Sequence, residues 1–302
     1  MKVKYEDWKP TRKSRNIVTV ANDIAAQYAA MGLTLTLRQM FYAFVSRDLL
    51  PNTHRDYKNL GNTITNARNA GLLDWDAIED RGRNLQGLRH YATPADLIDE
   101  TSEDYTMDLW NGQPLRLEAW VEKDALSSIV GQACNPWDVR YFACKGYVSA
   151  SEMRAAAQRH RQYERAGIEV VVLHLGDHDP SGLDMTRDIR DRLHFYQARE
   201  TTVRRIALNM DQIEAYSPPP NYAKVTDARY EGYREEYGED SWELDALPPE
   251  ALIELLNETI EEYVDLDDFN AERAEQDEGQ EHLAKLARNW PEVSAFLDAL
   301  PD

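Results

Sequence analysis

The chain has 302 residues, 42% of them hydrophobic, with seven tryptophans and a formal net charge of −20. That length and apolar content suit one large or two ordinary folded domains and exclude an intrinsically disordered chain. No apolar run approaches the ~20 residues that span a bilayer, MKVKYEDWKPTRKSR lacks a signal peptide's apolar core, and two cysteines (Cys134, Cys144) exclude a disulfide framework or a four-cysteine zinc site.

The N-terminal third reads as helical. SRNIVTVANDIAAQYAAM (14–31) spaces Ile17, Val20, Ile24 and Tyr28 as a helix closed by Gly32. Thr36 is placed to cap a second helix over 36–47, TLRQMFYAFVSR, and a third runs from about Tyr57 to Asn69 before Gly71. LLDWDAIEDRGRNLQG then reads as a strand-and-turn appendage. Three short helices and such an appendage outline a winged-helix (CAP-like) DNA-binding domain over residues 1–92. Its charge agrees: residues 1–92 hold 14 Lys and Arg against 9 Asp and Glu, whereas 93–209 hold 14 against 19 and 210–302 hold 6 against 26. The overall acidity therefore leaves a nucleic-acid partner open for the first third. Arg55, Arg68, Arg81 and Arg83 are candidate contacts to a DNA backbone, with simple surface solvation the alternative for each.

A helix around 95–110 is expected to link (93–113) to a second domain over 114–216. There strands at 115–122, 139–144, 168–175 and 202–209 alternate with helices at 124–133, 149–166 and 181–196. Alternation of this kind predicts an α/β fold, a mainly parallel, Rossmann-like sheet covered by helices. SPPPN (217–221) ends the pattern, and 217–302 reads as an acidic helical extension packed on that domain.

Three carboxylates stand where such a fold gathers function. The strand IEVVVLHL runs into GDHDPSG, in which Asp177 and Asp179, two apart, point to the same side of an extended chain. The first strand ends in Glu122, and the carboxyl ends of parallel strands form the functional crevice. Convergent carboxylates repel unless a cation neutralises them, and hard oxygen donors with room for water suit Mg²⁺ or Mn²⁺ and phosphoryl transfer. The plainer alternative is a turn and helix start in which either aspartate is an N-cap; Asp74 and Asp76 have the same spacing elsewhere.

VEKDAL (121–126), KGYVSASEMR (145–154) and GDHDPSGLDM (176–185) together resemble, in order, the motifs of the topoisomerase VI A subunit and its meiotic double-strand-break relatives, whose catalytic module is a TOPRIM domain. Val148 stands where that family usually has proline, and ELDAL (243–247) resembles a further acidic motif. The resemblance implies a TOPRIM fold with Glu122, Asp177 and Asp179 as metal ligands. It also implies that LRQMFY (37–42) ends in a DNA-cleaving tyrosine, Tyr42. Arg38, one turn earlier on the same helix face, would hold the scissile phosphate and favour phenolate character. Core packing of Phe41, Tyr42 and Phe44 is the alternative there. Lys123 and Lys145 match lysines of the motifs and are candidate phosphate contacts.

The expectation is then metal-dependent strand cleavage of double-stranded DNA, leaving a 5′-phosphotyrosyl link. The family's architecture implies a homodimer and a separate ATPase subunit; no Walker motif occurs in this chain. Two other readings stay open: a hydrolytic TOPRIM nuclease using metal-activated water without the tyrosine, and a non-catalytic DNA-binding protein. A cytoplasmic location, at the nucleoid for a bacterial or phage source, and no membrane partner complete the expectation.

Overall fold

A computed structural model describes residues 1–79 and 87–300. Three helices open the chain, each started by a threonine: α1 (Arg12–Ala30) by Thr11, α2 (Leu37–Val45) by Thr36 and α3 (His54–Asn69) by Thr53. Thr36 and Gln39 form a reciprocal capping box, which supplies two of the donors that a short helix leaves open. The third helix begins three residues earlier than its apolar spacing predicts, because Thr53 and Asp56 start it ahead of the first apolar residue. Of the expected strand-and-turn segment, residues 72–79 form no regular strand and hold one isolated β-bridge, Leu35 with Ile78. The helix expected at 95–110 is shorter: α4 covers Pro94–Thr101, followed by a 3₁₀ turn to Asp104.

The sheet and its helices follow: β1 (Leu115–Val121), α5 (Ser127–Cys134), β2 (Arg140–Ala143), α6 (Ala150–Arg165), β3 (Glu169–Leu175), α7 (Pro180–Phe195) and β4 (Thr201–Ala207). The molecule is a mixed α/β protein with a four-stranded parallel sheet ordered β2-β1-β3-β4. Residues 170–175 of β3 are all buried, so both faces of that strand are covered. This is why its sequence is continuously apolar rather than alternating. Trp120 and Val172 pack with Met153 of α6 and Ile189 and Leu193 of α7.

After β4 come α8 (Met210–Tyr216), β5 (Asn221–Tyr222), α9 (Tyr230–Tyr237), β6 (Asp240–Ser241) and α10 (Pro249–Glu261). β5 and β6 pair antiparallel, and the chain leaving β6 is stitched to the exit of β3. His178 N donates to Trp242 O (2.8 Å) and Trp242 N to His178 O (3.0 Å). Residues 1–82 and 116–260 form one compact unit.

Residues 83–115 and 261–302 form another. It contains α4, α11 (Leu266–Arg288) and α12 (Trp290–Asp298), with Trp110 and Phe269 buried edge to face, centroids 6.3 Å apart. Gln113 clamps the start of α11 through two hydrogen bonds with the Asp265 backbone, 2.9 and 3.0 Å. This division runs through the segments read from the sequence rather than between them. No helix among the described residues is long and apolar enough to cross a membrane.

Candidate active site at the β1–β3 switch point

In the order β2-β1-β3-β4 the connection after β1 runs to one side and the connection after β3 to the other, so the crevice of the sheet lies beyond the ends of β1 and β3. Glu122 follows β1 and Asp177 follows β3, which brings together residues 55 apart in sequence. The Glu122 carboxylate accepts the Asp177 backbone N–H at 2.8 Å. Asp177 Oδ1 in turn accepts the Leu244 N–H (2.7 Å) and pairs with Lys123 Nζ (2.8 Å).

Asp179 has a different duty. Its Oδ1 caps α7, accepting from Gly182 N (2.6 Å) and Ser181 Oγ (2.8 Å), the N-cap alternative left open by the motif. The tight turn depends on Gly182, where a Cβ would come within 2.2 Å of the Asp177 carbonyl oxygen. His178, between the aspartates, is buried against Tyr233, Tyr237 and Trp242.

The segment from Glu243 to Asp245, which enters a 3₁₀ turn at Leu244, supplies two more acids that meet the same cations. Lys123 Nζ lies 2.8 Å from Glu243 Oε2 and 2.7 Å from Asp245 Oδ1. Arg38 Nε reaches Asp245 Oδ2 at 2.9 Å, while its Nη2 pairs with Glu243. The Tyr42 hydroxyl donates to Glu243 Oε2 at 2.6 Å. Arg38 lies over the Tyr42 ring, 5.5 Å from its centroid. One charge network therefore joins Tyr42 and Arg38 of α2 to Lys123, Asp177, Glu243 and Asp245. Beside it a cleft of about 360 Å³ is lined by Arg38, Phe41, Tyr42, Tyr57, Asn221 and Glu243, among others.

The electrostatics divide the acids into two kinds. Burial, with Asp177 close by, pushes Glu122 up to about 7. Burial also raises Asp177, against the pull of Lys123. Glu243 is held well below the carboxylate range, since Lys123, Tyr42 and Arg38 outweigh its own burial. Tyr42 is pushed up by burial, then by Asp245 and Glu243, with Arg38 opposing.

Sequence reasoning noted that ELDAL resembles an acidic motif but did not take Glu243 and Asp245 as site residues, although its E-x-D repeats the spacing that drew notice in GDHD. It also passed over Arg205. This β4 side chain donates to the carbonyls of Gly176 (2.9 Å), Asp177 (2.7 Å), Gly182 (3.0 Å) and Leu208 (3.1 Å), and to Thr186 Oγ1 (3.2 Å). It thereby fixes the loop that carries both aspartates. Burial lowers its guanidinium to about 10. An arginine between the buried Val203 and Ile206 was the available signal.

The remaining candidates lie elsewhere. Lys145 is exposed and pairs with Asp124 at 3.3 Å. Arg55 is exposed on α3. Arg68 stacks on Trp75 at 4.4 Å and donates to its carbonyl at 2.8 Å, holding a turn. Arg81 and Arg83 lie outside the described residues.

Among the described residues no three His, Cys, Asp or Glu side chains are grouped as a metal's ligands. Mg²⁺, however, is held by one or two carboxylates together with waters and substrate phosphate. Glu122 and Asp177 fit that pattern: each commits one oxygen to a backbone N–H, and no hydrogen bond among the described residues reaches the other. Burial raises the proton affinity of both, and at Asp177 Lys123 offsets it only in part. Asp179 contributes only its Oδ2 while it caps α7. The sequence matches no known protein-family model and no curated protein.

Proposed function

We propose that this protein cleaves DNA strands by transesterification, with Tyr42 as nucleophile, in the manner of the topoisomerase VI A subunit family that its motifs resemble. In this reading the three N-terminal helices are a winged-helix domain and the parallel sheet a TOPRIM domain. The observation that carries it is the network joining Tyr42 to the switch-point acids through Glu243 and Lys123, 120 residues apart in sequence.

Glu122 and Asp177, with Asp179 beside them, would hold Mg²⁺ or Mn²⁺. When bound, such an ion stabilises charge on the phosphate and on the departing oxygen. Arg38 and Lys123 supply fixed positive charge for a phosphate that enters. Tyr42 Oη forms the bond to phosphorus, the bond to the 3′-oxygen breaks, and the tyrosine is left on the 5′-phosphate. The phenol proton leaves to solvent, and the 3′-oxygen takes up a proton from solvent in turn. Arg205 keeps the acid-bearing loop in place throughout. The reading includes a homodimer and a separate ATPase subunit, both implied by the resemblance.

Supercoiled plasmid incubated with Mg²⁺ or Mn²⁺ tests it. Covalent protein–DNA adducts are expected, lost in Tyr42→Phe and in Asp177→Ala. A second reading has its own support: the tyrosine is pushed away from reactivity while Glu122 sits near 7, the range of a general base for water. Nicking that survives Tyr42→Phe but not Asp177→Ala would establish that hydrolytic nuclease instead. Binding without cleavage under every metal would leave a DNA-binding protein.

A further inference from the structure

A single carboxylate oxygen, Glu243 Oε2, collects three donors. They are the Tyr42 hydroxyl (2.6 Å), Lys123 Nζ (2.8 Å) and the Arg38 guanidinium. Two cations and a hydroxyl converging on one oxygen are what a non-bridging phosphate oxygen requires. We propose that Arg38, Lys123 and the Tyr42 hydroxyl form a binding site for a phosphate oxyanion, and that Glu243 fills this site from within until a phosphate displaces it. Naming the anion as a DNA phosphodiester rests on the reading above; the site itself rests on the geometry.

Three further observations support the exchange. First, the two acids on these cations differ in exposure. Asp245 is fully buried and bound by both cations, whereas the Glu243 side chain is 26% exposed. Second, the backbone around Glu243 is anchored on both sides. Trp242 is bonded twice to His178, and Leu244 N is bonded to Asp177. Only the Glu243 side chain has to turn, and it lines an adjoining cleft of about 360 Å³ together with Arg38 and Tyr42. Third, a carboxylate and a phosphodiester each carry one negative charge. Their exchange leaves the partly buried cations neutralised, which removal of Glu243 alone does not.

The exchange also governs the nucleophile. While Glu243 and Asp245 face it, Tyr42 is held as a protonated donor. A phosphate in place of Glu243 puts the electrophile, rather than a carboxylate, against the hydroxyl.

The test follows thermal unfolding of the full chain in metal-free buffer, with inorganic phosphate or with chloride at equal ionic strength. Wild type is expected to show no phosphate-specific stabilisation. Glu243→Ala should unfold at lower temperature and be rescued by phosphate, which it binds about tenfold more tightly than wild type does. Glu243→Gln keeps the side chain's shape, guards against a variant that fails to fold, and should respond in the same direction. Adding Arg38→Ala should abolish the rescue. The inference is overturned if folded Glu243→Ala and Glu243→Gln respond to phosphate as wild type does, or if rescue persists without Arg38. The plasmid assay separates this result from the proposed function. Phosphate rescue without plasmid cleavage upholds the anion site and removes the cleavage reading. Tyr42-dependent cleavage without rescue does the reverse.

Discussion

Two glutamates, Glu118 buried and Glu122 half-buried, lie one before and one after the same three residues of β1, and their surroundings drive them in opposite directions. Glu118 is met by Arg159 through two hydrogen bonds, 2.6 and 2.8 Å, by the Trp120 indole N–H at 3.0 Å and by His160 at 3.3 Å. Burial acts against its charge, but Arg159 and His160 overcome this and hold it near 2. Glu122 is half-buried, yet it meets only a backbone N–H and another acid, and sits near 7. A fully compensated carboxylate is part of the fold. One whose charge is left unbalanced is available to something that arrives later.

The largest test of that contrast is Glu118→Ala. It leaves Arg159 and His160 without their partner and should cost about 3–5 kcal/mol, read from urea unfolding. The same carboxylate sets an acid limit. Its folded value near 2 lies below its ordinary 4.5. Its contribution is therefore whole above pH 4.5 and lost as pH falls towards 2, a slope that Glu118→Gln should flatten.

Arg205→Met comes next. Five acceptors lose a donor, and the loss should be about 2–4 kcal/mol, with the Asp177 loop exchanging its amide hydrogens faster than the rest of the sheet. At Glu122 the sign reverses. The folded value lies above 4.5, so stability is full below pH 4.5 and declines as pH rises to about 7. Glu122→Gln should accordingly raise stability by about 2 kcal/mol at pH 8 without metal, while plasmid cleavage is lost. No gain there would place Glu122 with Glu118 as a structural acid. Least affected should be Arg187→Ala, which removes two exposed pairs on α7 and should change unfolding by no more than about 0.5 kcal/mol.

Much of the fold is legible in the residues. The continuous apolar run of β3, the threonine caps and the β–α alternation each follow from local chemistry, and the parallel sheet follows from them. The candidate site is legible in part. Glu122 and Asp177 are found because strand ends are where parallel sheets collect function. Glu243 and Asp245 are not, since nothing local says that the chain after β6 returns to the exit of β3; a backbone bridge between His178 and Trp242 decides that. Asp179 shows the converse limit. Its i, i+2 relation to Asp177 is real in the sequence, but Pro180 and Gly182 start a helix there, and the free N–H groups of that helix claim one of its oxygens.

Trp110 and Phe269 have a consequence during synthesis. The two halves of their small core are made about 160 residues apart, which at ribosomal speeds of ~5–20 residues per second is a wait of about 8–30 s. Through that interval the indole has no Phe269 to pack against, and Gln113 has no Asp265 to clamp. The sheet with its acids can form on the ribosome in the meantime. The segment from Pro94 to Gln113 becomes part of a core only when α11 has emerged, so a nascent chain halted after α10 is the form that chaperones should hold longest.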